Sequence, residues 1–236
     1  MEFMTLEEAQ QKLIDAGLIL ETNGQGDFTR GHVSVRMPGD PSKFIMKPHS
    51  YGFDEITPEN IVVCNIDGEK IGGGGRRHSE VFIHSEIYKA RPDITSVIHT
   101  HPIHAVALSA TGKSLKMISQ PACTFADGVP YYTDTVNLIR TQDMGRGVAQ
   151  ALGNSKAVLM RNHGVAVAGG TIEEAVILAL ALDEACHIQL LTEAAGGEGE
   201  VFSDEDVQRL HDQVTRPEQF TINFDYLRRK VQRARG

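Results

Sequence analysis

Two histidines spaced two residues apart, His99 and His101, have the strongest chemical signature in this sequence. They lie in the segment SVIHTH (96–101), which predicts a β-strand. Alternate residues of a strand point to the same face, so the two imidazoles should lie side by side with Cα atoms roughly 7 Å apart. Imidazoles at this spacing can chelate a divalent cation. The pair alone is also compatible with two core histidines whose nitrogens are satisfied by protein groups.

A divalent cation needs at least three protein ligands, so a further one must come from elsewhere in the chain. His163 is the best candidate, because Asn162 and Gly164 predict a sharp bend from which its side chain can project at the end of a sheet. Glu80 is the candidate carboxylate, in the first turn of a predicted helix; favourable interaction with the helix N-terminus is its more common role at such a position. One divalent ion is therefore predicted, zinc in the first place, with manganese, cobalt or iron as alternatives.

Short strands and amphipathic helices alternate around these residues. Strands are predicted at 33–36, 44–47, 61–66, 96–101, 157–161 and 165–169. Thr5 and Thr171 open capping boxes for a first helix ending near Gly17 and a long helix to about residue 195, Ser79 caps a helix to about residue 90, and Pro102 begins another. This mixture predicts one α/β layered domain with a largely antiparallel or mixed sheet.

Glycine-rich turns connect several of these elements. Asp67-Gly68 predicts a tight hairpin between the segment 61–66 and the run EKIG (69–72). Gly72 to Gly75 predict a break in regular structure and a mobile loop before His78. No G-x-G-x-x-G joins a strand to a helix, which argues against a doubly wound nucleotide-binding fold.

Composition limits the partners and the compartment. The 236 residues are 41% hydrophobic, enough for one substantial core. Lys and Arg number 23 against 31 Asp and Glu, so a net charge of −8 argues against nucleic-acid binding. The acidic start and the interrupted apolar runs predict a cytoplasmic protein without a membrane segment. A C-terminal helical extension at about 200–236 ends in a basic tail, expected to be solvated or packed on a neighbouring subunit.

Four segments in this order resemble the class II aldolase/adducin family: GHVSVR (31–36), HSEVFIH (78–84), VIHTHP (97–102) and LMRNHGVAV (159–167). The resemblance covers about residues 5–195. It implies a three-layer α/β/α sandwich around a mainly antiparallel sheet, one family domain over 1–236, and a homotetramer with sites near subunit interfaces. It also implies that His99, His101 and His163 bind the metal and that Glu80 is the catalytic acid/base.

The sequence departs from the sugar-phosphate members of this family where those members surround a phosphate with small hydroxyl-bearing residues. At the matching places this chain has three imidazoles among the candidate substrate-binding residues, which are His32, Ser34, His49, Ser50, His78 and Ser79. Arg76 or Arg77 could bind a carboxylate bidentately. The pocket is therefore expected to take a flatter group, an aromatic ring or a second carboxylate. The tyrosine that donates a proton in fuculose-phosphate cleavage falls at Phe125.

These departures predict a metal-dependent carbon–carbon lyase that decarboxylates a hydroxylated aromatic acid, similar to dihydroxyphthalate, or a ring-cleavage keto acid, through a metal-stabilised enolate. Aldol cleavage of a hydroxy-keto or sugar-phosphate substrate uses the same electronic logic and is the alternative. A non-catalytic, adducin-like scaffold is disfavoured because the three histidines and Glu80 are all present. A metal-dependent hydrolase is disfavoured because the sequence lacks an HExxH helix or a second carboxylate pair.

Overall fold

A single eight-stranded sheet organises the chain. The structure, a computed structural model, describes residues 4–235. The strands are β1 (His32–Arg36), β2 (Lys43–Met46), β3 (Val62–Asn65), β4 (Lys70–Gly73), β5 (Ser96–Thr100), β6 (Tyr131–Tyr132), β7 (Ala157–Met160) and β8 (Gly164–Gly169). Their order across the sheet is β4-β3-β2-β1-β5-β8-β7-β6. Neighbouring strands are antiparallel except β6 and β7, which are parallel.

Helices cover both faces of this sheet. They are α1 (Leu6–Leu20), α2 (Val81–Ala90), α3 (Ile103–Thr111), α4 (Gln120–Cys123), α5 (Gln142–Leu152), α6 (Ile172–Ala194), α7 (Asp204–Val214) and α8 (Pro217–Arg235). One core cluster joins the sheet to α1, α3, α4, α6 and α8, and a second joins its other face to α2 and α5. This confirms the predicted three-layer α/β/α sandwich around a mainly antiparallel sheet.

The glycine-rich segment after the β3–β4 hairpin differs from the sequence prediction. The predicted hairpin forms, but Gly72 and Gly73 belong to β4 rather than to a mobile loop. A Cβ atom on Gly73 would lie 2.0 Å from the Ile61 carbonyl oxygen, and one on Gly74 would lie 2.1 Å from the Glu59 carbonyl oxygen. The glycines therefore allow close backbone packing against residues 59–61, which is why regular structure continues through Gly73 where the sequence predicted a break.

Several helix ends are also displaced from their predicted positions. The first helix continues past Gly17 to Leu20, with its capping box formed by Thr5 and Glu8 as predicted. Helix α2 begins one residue later than expected, so Glu80 rather than Ser79 occupies the N-cap position. Pro102 likewise precedes α3 instead of starting it. These shifts move Glu80 out of the helix and free its side chain for other contacts.

Two helices in the C-terminal part of the chain, α6 and α8, pack against the core. Helix α6 is long and apolar enough to cross a membrane by length and composition, and it is the only such helix within residues 4–235. Its apolar run is interrupted by Asp183, Glu184, His187 and Gln189, and residues such as Leu178 and Leu182 are buried in the core against the sheet. Helix α8, which contains most of the basic tail, packs on α1 and α6 of the same chain and buries Phe224. Core packing accounts for the apolar character of α6.

Candidate metal centre and active-site cavity

Three imidazoles meet at one edge of the sheet. His99 lies near the end of β5, His101 follows that strand, and His163 lies in the turn between β7 and β8. Because β5 pairs with β8, this turn is adjacent to the end of β5. One ring nitrogen from each histidine lies within 4.8 Å of the others. A Cβ atom on Gly164 would lie 2.5 Å from the Thr100 carbonyl oxygen, so glycine is required for the turn to approach so closely.

The hydrogen bonds of these histidines leave nitrogen atoms available for a ligand. The Nδ1 atom of His99 donates to the Val165 carbonyl oxygen at 2.9 Å, and its buried Nε2 atom has no partner in the described part of the chain. Neither ring nitrogen of His163 has a partner there. The Nδ1 atom of His101 donates to Asp27 Oδ2 at 3.0 Å. These unpartnered, buried lone pairs are the donor set that a divalent cation requires, so the residues fit a metal.

Burial keeps the three imidazoles neutral. It is the main cause that lowers the pKa of His99, and the nearby His101 and His163 rings lower that pKa further. Burial also lowers the pKa values of His101 and His163, while the carboxylates of Asp27 and Glu80 respectively oppose the shift. Neutral imidazoles bind metal ions without first losing a proton.

Glu80 directs its carboxylate toward the histidines. Its side chain forms no capping hydrogen bond to α2. Instead, Oε1 accepts a hydrogen bond from the backbone amide of Ile139 at 2.8 Å and lies 3.6 Å from His163 Nε2, while Oε2 lies 3.9 Å from His99 Nε2. This geometry therefore favours a role for the Glu80 carboxylate beside the histidines over a role in capping the N-terminus of α2.

His32 approaches the same centre from β1. His32, Glu80 and His99 form a second group whose ligand atoms lie within 4.8 Å of one another. A buried chain of hydrogen bonds holds His32 in place: its Nδ1 lies 2.6 Å from His84 Nε2, and His84 Nδ1 lies 2.7 Å from Ser34 Oγ. Burial lowers the pKa of His84 to about 3, so this link is neutral.

Ser34 does not reach the substrate space that the sequence predicted for it. It shares the strand face of His32 but lies farther along β1, where it is fully buried and its Oγ is also 2.7 Å from the Tyr88 hydroxyl of α2. The packing of α2 over β1 explains this difference from the prediction, because it encloses Ser34 and leaves His32 at the edge of the cavity.

A cavity of about 580 Å³ opens over Glu80, His101 and His163. Its other lining residues include four of the predicted substrate-binding residues, His32, His49, His78 and Ser79. The remaining lining residues were not identified by sequence patterns; they are Asp27, Thr29, Arg30, Gly31, Ile103, Val106, Val136, Leu138, Arg140 and Asn162.

Ser50 and Arg77 lie outside the cavity lining, contrary to expectation. The Ser50 hydroxyl is 2.6 Å from His49 Nδ1 and so supports His49 instead. The Arg77 guanidinium donates to the His78 carbonyl oxygen and lies over the Phe82 ring, which turns it away from the cavity. Local contacts thus hold the Arg77 side chain, and it is absent from the cavity lining although the next residue, His78, is part of it.

His78 is held as a neutral donor at the cavity wall. Its Nε2 donates to the Pro48 carbonyl oxygen at 3.0 Å, and burial lowers its pKa to about 2. The positive charge among the cavity side chains comes instead from Arg30 and Arg140. Both arginines lie in irregular segments, at 27–31 and 133–140, where no periodicity or motif could have assigned them to the cavity. Phe125 is buried in the core and does not line the cavity.

Comparison with known proteins now identifies the family. The class II aldolase and adducin N-terminal domain matches residues 11–190. The chain belongs to this family. This confirms the resemblance predicted from the four sequence segments.

Curated members of the family include decarboxylases. The chain is 37% identical over 205 residues to the meiotically up-regulated gene 14 protein of Schizosaccharomyces pombe, covering 86% of this chain and 77% of that one. It is 30% identical over 216 residues to 3,4-dihydroxyphthalate decarboxylase of Arthrobacter keyseri, covering 86% of each. It is also 35% identical to the 4-hydroxy-3-prenylphenylpyruvate oxygenase/4-hydroxy-3-prenylbenzoate synthase of Streptomyces roseochromogenus, covering 72% of this chain and 62% of that one.

A solved structure, L-fuculose 1-phosphate aldolase from Glaciozyma antarctica, superposes with a TM-score of 0.88 at 26% identity, covering 100% of this chain and 94% of that one. Decarboxylases and aldolases both break or form a carbon–carbon bond of their substrate. The relatives therefore support a lyase within the class II aldolase family.

Proposed function

We propose that this protein is a metal-dependent decarboxylase of a hydroxylated aromatic acid or a related ring-cleavage keto acid. We further propose that the protein is cytoplasmic, that it assembles as a homo-oligomer, a tetramer, and that it acts on a small-molecule substrate. The observation that carries the proposal is the convergence of unpartnered histidine nitrogens and the Glu80 carboxylate in a cavity that also has apolar walls.

His99, His101 and His163 would hold the metal, zinc in the first place or manganese, cobalt or iron. When bound, the cation would supply electrostatic stabilisation for the negative charge that develops on a substrate oxygen. The chain fixes the orientation of its ligands: the Val165 carbonyl oxygen accepts from His99 Nδ1, and Asp27 accepts from His101 Nδ1. Such supporting hydrogen bonds set which nitrogen faces the ion.

Glu80 would move the proton that replaces carbon dioxide. Decarboxylation breaks a carbon–carbon bond, leaves its electron pair on the substrate carbon and requires a proton at that carbon. The Glu80 carboxylate is the acid/base group in position, since the Ile139 amide fixes Oε1 and both oxygens face the histidines. A carboxyl group held in this way can deliver a proton to a bound substrate.

The composition of the walls favours an aryl acid over a sugar phosphate. Ile103, Val136 and Leu138 give the cavity apolar surface suited to a flat ring. His78, at a place where sugar-phosphate members are expected to bind phosphate, is neutral and already donates to Pro48. The similarity to 3,4-dihydroxyphthalate decarboxylase agrees with this preference. Aldol cleavage remains the second candidate because the L-fuculose 1-phosphate aldolase structure is so similar.

Product analysis tests the reaction. Purified, metal-loaded protein is incubated with hydroxylated aryl acids and with sugar phosphates, and carbon dioxide and aldehyde are measured separately. Carbon dioxide from an aryl acid, with and without oxygen, is expected. Aldehyde from a sugar phosphate would replace the decarboxylase proposal with the aldolase, and strict dependence on oxygen would replace it with an oxygenase.

Two variants test the residue roles. His163→Ala should lose bound metal and turnover together, as measured by elemental analysis and rate. Glu80→Gln should keep the metal but lose at least about 100-fold in rate, because the proton carrier is removed. Stoichiometric metal in His163→Ala, or full activity in Glu80→Gln, would reject the corresponding role.

A further inference from the structure

Arg140 is a cavity-lining cation with no assigned partner. The Arg30 guanidinium, which also lines the cavity, forms a salt bridge with Asp27 at 2.8 Å. Among residues 4–235, by contrast, Arg140 forms no salt bridge and no side-chain hydrogen bond. Its charge is therefore available to a bound anion, whereas that of Arg30 is largely compensated.

The segment that carries Arg140 combines this charge with apolar surface. Val136, Leu138 and Arg140 all line the cavity, and the side chains of Val136 and Leu138 are 58% and 42% exposed. These exposed apolar residues lie beside the polar centre and provide a surface for an apolar ligand. This segment of the cavity wall therefore offers apolar contacts from Val136 and Leu138 and a cation, Arg140, for an anionic group.

This wall is fixed relative to the centre of the site. Ile139, which separates Leu138 from Arg140, is fully buried in the core, and its amide donates to Glu80 at 2.8 Å. The same backbone segment thus holds the proposed acid/base group and presents the guanidinium. A ligand bound in the cavity beside Glu80 can therefore meet both the apolar side chains of Val136 and Leu138 and the Arg140 guanidinium.

We propose that Arg140 binds a second carboxylate of the substrate, carried on a flat apolar body, and so selects dicarboxylic over monocarboxylic aryl acids. The inference rests on the proposed function for the location of the reacting group, and it adds the substrate class and the residue that selects it. A guanidinium pairs with a carboxylate through two parallel hydrogen bonds, which favours a planar acid in a defined orientation. A phosphate group shares the anionic chemistry but would leave the apolar wall without a role.

Binding of simple probes to the metal-loaded protein tests this assignment without turnover. Calorimetry compares benzoate, phthalate and dihydroxyacetone phosphate for the wild type, Arg140→Gln and the charge-matched control Arg146→Gln. Arg146 lies on α5 outside the cavity and pairs with Asp143. Phthalate is expected to bind about tenfold more tightly than benzoate to the wild type and the control, because one charge-assisted pair is added. In Arg140→Gln the two acids should bind equally, with the benzoate affinity unchanged.

Three results would overturn the inference: an unchanged phthalate preference in Arg140→Gln, an equal loss of benzoate and phthalate binding, or tighter binding of dihydroxyacetone phosphate than of phthalate by the wild type. The outcome is separable from that of the proposed reaction. If Arg140→Gln abolishes the phthalate preference but no aryl acid releases carbon dioxide, the Arg140 assignment stands and the decarboxylase proposal fails. Carbon dioxide release with an unchanged preference would reject Arg140 alone.

Discussion

Because His84 is buried with a lowered pKa, we predict that the metal-free protein loses stability as the pH falls below about 6.5. Burial lowers the pKa of His84 to about 3. Between that value and the ordinary pKa of about 6.5, the unfolded chain carries a proton at this residue and the folded chain does not. Acidification therefore favours the unfolded state, and the sign of the effect is a decrease in the free energy of unfolding.

The magnitude follows from the same linkage. One such group lowers the free energy of unfolding by about 1.4 kcal/mol for each pH unit, or about 2 kcal/mol between pH 6.5 and 5. His78, whose pKa burial lowers to about 2, adds a similar amount. The sum of about 4 kcal/mol is a large part of the 5–15 kcal/mol that is typical of a domain, so a marked loss of stability near pH 5 is expected.

Urea denaturation with a chelator present, at several pH values between about 7.5 and 5, measures this dependence. His84→Gln keeps a polar side chain between His32 and Ser34 but cannot take up the proton, so its slope should be smaller by about 1.4 kcal/mol per pH unit. Ser85→Ala is the matched control, because it removes a neighbouring buried hydroxyl that has no hydrogen-bond partner and does not titrate in this range. Equal slopes for the wild type and His84→Gln would refute the reasoning.

Three further outcomes follow from the structure. Gly73→Ala should lower the free energy of unfolding by more than about 1 kcal/mol in urea denaturation, because Gly73 has φ of 79° and its Cβ would meet the Ile61 carbonyl oxygen. Lys47 is fully buried and donates to the Thr29 carbonyl oxygen, and burial lowers its pKa to about 8. The stability of the wild type relative to Lys47→Met should therefore rise by about 1.4 kcal/mol per unit from pH 8 to 10, where only the unfolded lysine keeps its proton. Asp27→Asn should weaken metal binding about 10- to 100-fold in chelator competition, because His101 loses its carboxylate partner.

Each of these outcomes has a contrary result. Gly39 has φ of 75° but open space around it, so Gly39→Ala isolates the backbone strain, and an equal cost in both variants would deny the clash at Gly73. A stability difference for Lys47→Met that does not change above pH 8 would contradict the lowered pKa. Unchanged metal affinity in Asp27→Asn would show that the carboxylate does not support His101.

The sequence by itself determined the features that depend on a few neighbouring residues. The capping box at Thr5 forms because its two bonds join residues three apart in the chain. The strand containing His99 follows from its β-branched composition. The alternation of a strand also predicts that the His99 and His101 rings lie close together, and their centroids are 4.8 Å apart. The family and its layered fold were recognisable from four such segments.

Only the tertiary structure decided which side chains face the cavity. Ser34 is enclosed by α2, Arg77 is held against Phe82, and Arg140 enters from an irregular segment fixed by the contact between Ile139 and Glu80. The mobile loop expected at Gly72 and Gly73 became part of a strand because the backbone of residues 59–61 packs against it. The physical reason is common to all four cases: the direction and environment of a side chain depend on what packs over it. For Ser34, Arg140 and the glycines these contacts join residues far apart in sequence, and for Arg77 they depend on how the chain folds locally around Phe82.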